Sequence, residues 1–292
     1  MHADQLEISP ATVRTLIDDQ FPQWRHLAVR PLSTQGTVNA IFRLGDDLTA
    51  RFPLQLRPGA HEWLRSEAEA AAELLGRTRF ATPKPVALGE PGPGYPSPWS
   101  VQTWLPGEVV TTQTLGDAFA LDLAEFITGV RAIDTRGRTF RGGGRGGDLK
   151  DHDDWMETCF ERSESLLDVP TLRRIWSDLR DLPRGDHADL MTHGDLIPGN
   201  LLVTDGRLTG VLDVGGLGPA DPALELVAAW HLLEDGPRAT LRRALATDDL
   251  QWQRGQAWAF VQAMGLPWYY DQTNPPMAET GRRTLARIVA SF

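Results

Sequence analysis

The pattern of hydrophobic and polar positions predicts strands in the first hundred residues and helices in most of the rest. Ser9-Pro10 has the residue types of a helix start and precedes a predicted helix over residues 11–20. Residues 61–75 are rich in Ala, Glu and Leu, which predicts a second helix. Between these helices, three apolar runs have the length and composition of strands, at 27–32, 37–44 and 48–52.

Beyond residue 107 the apolar positions recur with a helical period. Residues 115–133 form one amphipathic stretch, and residues 155–167 and 171–182 form two more. Residues 99–107 are predicted to form a strand that ends in a turn. The pattern thus predicts an α+β chain, with strands mainly before residue 107 and helices mainly after it.

Composition and charge narrow the class of protein. The net charge of −10 argues against a nucleic-acid partner. Residues 111–292 hold nineteen Lys and Arg against twenty-seven Asp and Glu. This excess of acidic residues either favours the binding of a cationic small molecule or contributes only to solubility. The first ten residues lack the features of a signal peptide, and no apolar run approaches the roughly 20 residues that span a bilayer. Cys159 is the single cysteine, which fits a reducing cytoplasm and excludes an intramolecular disulfide.

A loop with candidate chemistry is predicted late in the chain. Gly194, Pro198 and Gly199 argue against a helix there. The loop carries two side chains with oxygen atoms, Asp195 and Asn200, five residues apart.

A tight β-hairpin is predicted directly after this loop. Asp205-Gly206 separates two apolar runs, which is a strong hairpin signal. The hairpin would return Asp213 to the side of Asn200. An amide oxygen and a carboxylate brought together in this way suit Mg²⁺, which prefers oxygen ligands. Asp195 would then face a substrate hydroxyl rather than the metal.

These motifs resemble one protein family. HGDLIPGN at 193–200, DVG at 213–215 and DPA at 221–223 are similar to the aminoglycoside phosphotransferase family, which includes the macrolide phosphotransferases and has a kinase-like fold. The resemblance covers nearly the whole chain and implies a two-lobe kinase-like architecture, with a first lobe at 1–107 built on an antiparallel sheet and a larger, mainly helical lobe at 108–292. It implies that Asp195 is the catalytic base and that Asn200 and Asp213 bind the metal. His193 and Asp221 are expected to support the loop, and Asp221 is also expected to cap the next helix.

The same resemblance implies a nucleotide site in the first lobe. The cation that contacts the phosphates would be Arg51, where protein kinases have Lys, and its partner would be Glu67, with Glu69 and Glu73 as alternatives. A loop over the phosphates would comprise Ser33, Thr34, Gln35, Gly36 and Thr37. Backbone groups near the purine would come from Gln102, Thr103, Trp104 and Leu105.

The implied function is transfer of the γ-phosphate of ATP or GTP, with Mg²⁺, to a hydroxyl of an aminoglycoside or a macrolide, which would confer antibiotic resistance. Only about seven residues separate Asp213 from the next helix, which leaves no room for a peptide-binding segment. The acceptor would be held by acidic and aromatic residues of the second lobe, Glu234, Asp235, Trp268, Tyr269 and Asp271. The alternatives are a metabolic kinase for choline or an amino sugar, and a nucleotide-binding protein without catalysis. The glycine cluster at 141–147 matches no known phosphate-binding motif, and the sequence does not define an oligomeric state.

Overall fold

A computed structural model describes residues 5–32, 38–111, 114–142 and 144–292, which fold into two compact units. The first unit comprises residues 1–75, 81–106 and 212–215, and the second comprises 76–80, 107–211 and 216–292. The units do not follow a single division of the chain near residue 107. Residues 76–80 belong to the second unit, and residues 212–215 belong to the first. The predicted fold class is confirmed, since the first unit contains an antiparallel sheet and the second is mainly helical.

The described residues of the first unit form one five-stranded sheet and two α-helices. The helices are α1 (Pro10–Gln20) and α2 (Ala60–Leu74). The strands are β1 (Val29–Leu32), β2 (Asn39–Leu44), β3 (Leu48–Pro53), β4 (Pro85–Gly89) and β5 (Trp99–Thr103). Their order in the sheet is β1-β2-β3-β5-β4, and all neighbours are antiparallel.

A core of large side chains holds α1 against this sheet. Helix α1 begins as predicted, with Ser9 accepting a hydrogen bond from the backbone of Thr12. Val13, Leu16 and Ile17 are fully buried against the strands. On the sheet, Phe52 stacks on Trp99 with ring centroids 4.8 Å apart. Large rings bury much apolar area, so this contact stabilises the pairing of β3 with β5.

The second unit contains eight helices among the described residues. They are α3 (Asp117–Arg131), α4 (Asp153–Ser163), α5 (Val169–Leu179), α6 (Val227–Leu232), α7 (Asp235–Ala244), α8 (Asp249–Met264), α9 (Leu266–Tyr269) and α10 (Pro275–Val289). Helix α8 is buried on nearly all sides from Arg254 to Met264, so it forms the centre of the unit. Gly255 permits this packing, because a Cβ there would lie 2.4 Å from the Cβ of Leu226. None of the described helices is long and apolar enough to span a membrane.

The part of the second unit that the structure describes also contains five short strands. They are β6 (Glu108–Val109), β7 (Leu190–Thr192), β8 (Leu201–Thr204), β9 (Arg207–Val211) and β10 (Gly218–Ala220). The predicted hairpin is β8–β9. Asp205 and Gly206 at its tip both have positive φ, 51° and 72°, as a two-residue hairpin turn requires. Its open end pairs Leu201 with Val211, one residue after Asn200 and two residues before Asp213.

Candidate active site

Asp195 lies in the loop between β7 and the single turn Pro198–Asn200. Gly194 has a φ of +78°, a conformation that favours glycine, and its N–H donates to Glu225 Oε1 at 2.9 Å. The N–H of Asp195 faces His193 Nδ1 at 3.3 Å. His193 is itself buried, so the loop is fixed by side chains of its own unit.

Three side chains hold the carboxylate of Asp195. Asn200 Nδ2 donates to Oδ2 at 2.9 Å, Gln262 Nε2 donates to Oδ1 at 2.6 Å, and Arg145 Nη2 contacts Oδ1 at 3.1 Å. The side chain of Asp195 keeps 33% of its surface exposed. An ionised carboxylate has about four acceptor positions, so roughly one remains for a substrate hydroxyl. The group is therefore both fixed and accessible.

Asn200 is oriented by the same contacts. Its Nδ2 donates to the carbonyl oxygen of Asp195 at 2.9 Å as well as to the carboxylate. Because both hydrogens of the amide are used, the side-chain oxygen of Asn200 is the atom left for a cation. This is the donor chemistry that Mg²⁺ requires.

In the first unit, Arg51 and Asp213 form an ion pair. Arg51 Nη2 donates to Asp213 Oδ1 at 2.8 Å, from the strand β3. Asp213 is a non-glycine residue with a φ of 55°. Burial raises the pKa of the Glu67 carboxyl, while the nearby charge of Arg51 lowers it and that of Asp213 raises it. The three residues predicted to serve the nucleotide and its metal in this unit therefore lie together.

The close approach of α2 to this cluster depends on Gly215. A Cβ at Gly215 would lie 2.7 Å from Glu67 Cγ, closer than carbon atoms can approach. The glycine that follows the Asp213 motif thus admits the Glu67 side chain. Glu69, one of the alternatives to Glu67, is exposed.

In the segment predicted to contact a purine, residues 102–105, some backbone N–H groups already donate hydrogen bonds within the first unit. The N–H of Thr103 donates to Lys84 O at 2.9 Å, and the N–H of Trp104 donates to Asp47 O at 2.7 Å. These two N–H groups are therefore engaged within the first unit, and Gln102 and Leu105 remain as the other residues of that segment. The predicted phosphate loop, Ser33, Thr34, Gln35, Gly36 and Thr37, lies outside the described residues.

Asp221 and Arg254 form a buried ion pair in the second unit. Asp221 caps the turn Pro222–Leu226 by accepting from the N–H of Ala223 at 2.9 Å. Its Oδ2 accepts from Arg254 Nη2 at 2.6 Å and from Trp258 Nε1 at 3.0 Å. The side chains of Asp221 and Arg254 are 3% and 2% exposed, so the pair is shielded from water.

The same pair anchors the glycine cluster. The N–H of Asp221 donates to Gly146 O at 2.9 Å, and Arg254 Nη2 donates to Gly147 O at 3.3 Å. Gly146 has a φ of +114°, and a Cβ there would lie 2.6 Å from the Cβ of Ala220. These anchors fix the segment next to Arg145, which contacts Asp195. Sequence reasoning missed Arg145 and Gln262, since neither belongs to a local motif.

The predicted acidic acceptor residues all have arginine partners. Glu234 accepts from Arg287 at 2.5 Å, and Asp271 accepts from Arg282 at 2.6 Å. Asp235 is paired with Arg238 on its own helix. These charges are therefore already compensated in the second unit.

Aromatic rings lie beside one another at the α4 and α9 helices. Trp268 packs against Trp155 and Tyr269, with ring centroids 6.0 and 5.5 Å apart. Trp155 and Tyr269 are exposed, at 41% and 39%. The rings thus form a partly exposed apolar surface, which we call the ring cluster (Trp155, Trp268 and Tyr269).

The first unit contains an antiparallel sheet and the second is mainly helical, as in the kinase-like class of folds, and comparison with known proteins gives the family. A profile of the phosphotransferase enzyme family matches residues 29–263, so the chain belongs to that family. The chain is 32% identical over 76 residues to an aminoglycoside 3′-phosphotransferase of Escherichia coli. This match covers 26% of the chain and 28% of that enzyme, so it spans less than a third of this curated relative.

Two solved structures share the fold over almost the whole chain. One is the GDP complex of aminoglycoside 2′-phosphotransferase-IIIa, with a TM-score of 0.71 and 19% identity over 98% of this chain and 100% of that chain. The other is a macrolide 2′-phosphotransferase from Brachybacterium faecium, with a TM-score of 0.63 and 19% identity over 94% of this chain and 98% of that chain. At these identities the likeness establishes the fold.

Proposed function

We propose that the protein is a small-molecule kinase that transfers the γ-phosphate of ATP or GTP to a hydroxyl of an antibiotic-like acceptor, and so confers antibiotic resistance. The observation that carries this proposal is Asp195, which is held by three donors and still partly exposed. The family supports the reaction class. One structural relative is a complex with GDP, which supports a nucleotide as the phosphate donor.

Asp195 is proposed to act as the base. A carboxylate that is fixed on both oxygens can orient one acceptor hydroxyl and accept its proton as the phosphoryl group is transferred. Phosphoryl transfer depends mostly on positioning and charge neutralisation, so a firmly held carboxylate suits it. His193 and Asn200 contact the backbone of Asp195, and Asp221, which caps the turn Pro222–Leu226, is proposed to support the loop from the same unit.

Mg²⁺ is proposed as the cofactor, with Asn200 and Asp213 as ligands. The fixed amide of Asn200 leaves its oxygen for a cation, and Asp213 supplies a carboxylate. Bound Mg²⁺ would neutralise charge on the nucleotide phosphates. Within the described residues no three or more His, Cys, Asp and Glu side chains form a group that could hold a metal ion, and the proposed site relies instead on one amide oxygen, one carboxylate and the nucleotide phosphates.

Arg51 and Glu67 are proposed to orient the phosphates of the nucleotide. Arg51 keeps its charge and offers several N–H donors, so it can contact Asp213 and a phosphate oxygen together. Glu67 lies close enough to both residues for their charges to affect its pKa. Backbone groups of residues 102–105 and the loop 33–37 are proposed to complete this site.

The acceptor is proposed to be an aminoglycoside or a macrolide. Glu234, Asp235 and Asp271 are paired with arginines, so a polycationic acceptor would have to compete for them. The exposed rings of Trp155 and Tyr269 favour an acceptor with apolar faces, and a macrolide offers more of these. We propose a cytoplasmic location and no nucleic-acid partner, in keeping with the net charge of −10.

The test is a nucleotide-consumption screen with ATP and GTP separately, against a panel of aminoglycosides and macrolides. The wild type is expected to consume nucleotide only with an acceptor and Mg²⁺, and to yield a phosphorylated product by mass spectrometry. Asp195→Ala should lower turnover about 10²- to 10⁴-fold and leave Mg-nucleotide affinity nearly unchanged. Wild-type product formation by this variant would remove Asp195 as the base. Nucleotide binding without any product in the wild type would favour a binding protein.

A further inference from the structure

A line of hydrogen bonds leads from Asp195 into the helical core of the second unit. Gln262 of α8 donates from Nε2 to Asp195 Oδ1 at 2.6 Å. The side-chain oxygen of Gln262 lies 3.2 Å from Nε2 of His231, on α6. Nδ1 of His231 lies 2.9 Å from the hydroxyl of Thr284, on α10. Side chains from three helices thus form one line that ends at a single carboxylate oxygen.

The direction of these hydrogen bonds follows from the carboxylate. An ionised carboxylate only accepts, so Gln262 turns its NH₂ group to Asp195 and its oxygen to His231. His231 must then carry a hydrogen on Nε2. Nδ1 is then an acceptor, and the Thr284 hydroxyl shares its hydrogen between Nδ1 at 2.9 Å and Thr280 O at 2.8 Å. The line therefore has one consistent arrangement for a neutral imidazole.

Burial keeps this imidazole neutral. His231 is 4% exposed, and its burial lowers the pKa from 6.5 to about 4, although Gln262 and Asp195 act in the opposite direction. The nearby charges of Arg145 and Arg287 lower the pKa further. At neutral pH the ring thus holds one hydrogen, and Gln262 determines which nitrogen carries it.

We propose that Gln262 is a positioning residue of the transfer reaction, and that His231 fixes the orientation in which the Gln262 amide donates to Asp195. This inference rests on the proposed function, in which Asp195 is the base. If Gln262 reversed its amide, an oxygen would face the carboxylate and repel it. A displacement of about 1 Å in a catalytic group can cost as much as 10²-fold in rate, so a fixed donor on Oδ1 matters to turnover.

The first experiment compares two glutamines of α8. Gln262→Met keeps the length of the side chain but removes the donor, and should lower kcat about 10- to 100-fold. KM for the acceptor and Kd for the Mg-nucleotide should change less than about twofold, because the substitution leaves their contacts in place. The matched control is Gln256→Met. Gln256 donates to Ser291 Oγ at 2.8 Å and does not contact Asp195. Equal kcat values for the two variants would overturn the inference.

The second experiment varies the nitrogen that Gln262 faces. His231→Gln places an N–H donor close to the position of Nε2 and should restore most of kcat. His231→Leu removes the donor, releases the Gln262 amide and should lower kcat as Gln262→Met does. Thermal melting of both variants separates this effect from unfolding. If His231→Gln and His231→Leu lose the same fraction of kcat at the same thermal stability, the proposed role of His231 is contradicted.

A third measurement does not depend on activity. ¹⁵N NMR of labelled histidines should show His231 as the neutral form with its hydrogen on Nε2, assigned through the signal lost in His231→Gln. In Gln262→Met this preference should disappear. A hydrogen on Nδ1 in the wild type would overturn the inference even if the kinase reaction is established. Conversely, a protein that phosphorylates no acceptor would refute the proposed function, while the NMR result would still decide the orientation of Gln262.

Discussion

The buried ion pair of Asp221 and Arg254 permits a quantitative prediction of stability. Arg254 approaches Asp221 Oδ2 with Nε at 2.9 Å and Nη2 at 2.6 Å, and Trp258 Nε1 approaches the same oxygen at 3.0 Å. Both charged side chains are almost completely shielded. Asp221→Ala would leave the guanidinium buried without its counter-charge, and it would remove the cap at Ala223. Losing one partner of such a pair costs about 3–5 kcal/mol in the free energy of unfolding.

The matched control is an ion pair with the same separation but more exposure. Arg282 and Asp271 also lie 2.6 Å apart, with 36% and 32% of the side chains exposed. Water screens such pairs, so Asp271→Ala should leave the unfolding midpoint in urea near that of the wild type. The midpoint is measured by tryptophan fluorescence and by circular dichroism. Equal shifts for Asp221→Ala and Asp271→Ala would refute the argument from burial.

A double variant tests the physical cause. Arg254→Met in the background of Asp221→Ala removes the uncompensated charge, so part of the lost stability should return. The recovery should be incomplete, because Arg254 also donates to Leu182 O at 2.7 Å and to Gly147 O at 3.3 Å. Further destabilisation in the double variant would show that packing rather than charge dominates here.

Three further predictions concern Asp213, Arg51 and His231. Asp213→Ala should abolish Mg-dependent nucleotide binding in calorimetry, because Asn200 alone is a neutral and weak ligand; unchanged affinity would refute the metal assignment. Arg51→Ala should weaken nucleotide binding far more than Arg65→Ala, an exposed arginine on the neighbouring helix, and equal small effects would make Arg51 a surface arginine. The folded pKa of His231, about 4, lies below its ordinary 6.5, so the unfolded chain binds the extra proton between these values. Stability should therefore fall by up to about 3 kcal/mol as pH drops from 6.5 to 4, and His231→Gln should lack this fall in pH-dependent urea unfolding.

The local parts of the fold and site were predictable from the sequence. The Asp205-Gly206 turn and the cap at Ser9 depend on adjacent residues, and the structure contains both. The segment carrying Asp195 and Asn200 was predicted as a loop because glycine and proline interrupt it. Short-range rules of this kind concern contacts within a few residues.

Contacts over long sequence separations were not predictable. Gln262 and Arg145 reach Asp195 from 67 and 50 residues away, and no spacing rule relates them. The glycine cluster at 141–147 matches no known motif, yet Gly146 and Gly147 accept hydrogen bonds from buried residues more than 70 positions away. Arg287 pairs with Glu234 from 53 residues away, so the sequence does not show that this carboxylate already has a partner.

The backbone conformation of Asp213 has a consequence for any attempt to raise the thermal stability of the protein by directed evolution. A residue with a side chain at a φ of 55° costs on the order of 1 kcal/mol relative to glycine, which adopts this conformation freely. Selection for heat resistance alone would therefore accept glycine at this position and discard the carboxylate proposed to bind Mg²⁺. A library screened only for folding would enrich inactive clones here, so the selection must require turnover at every round.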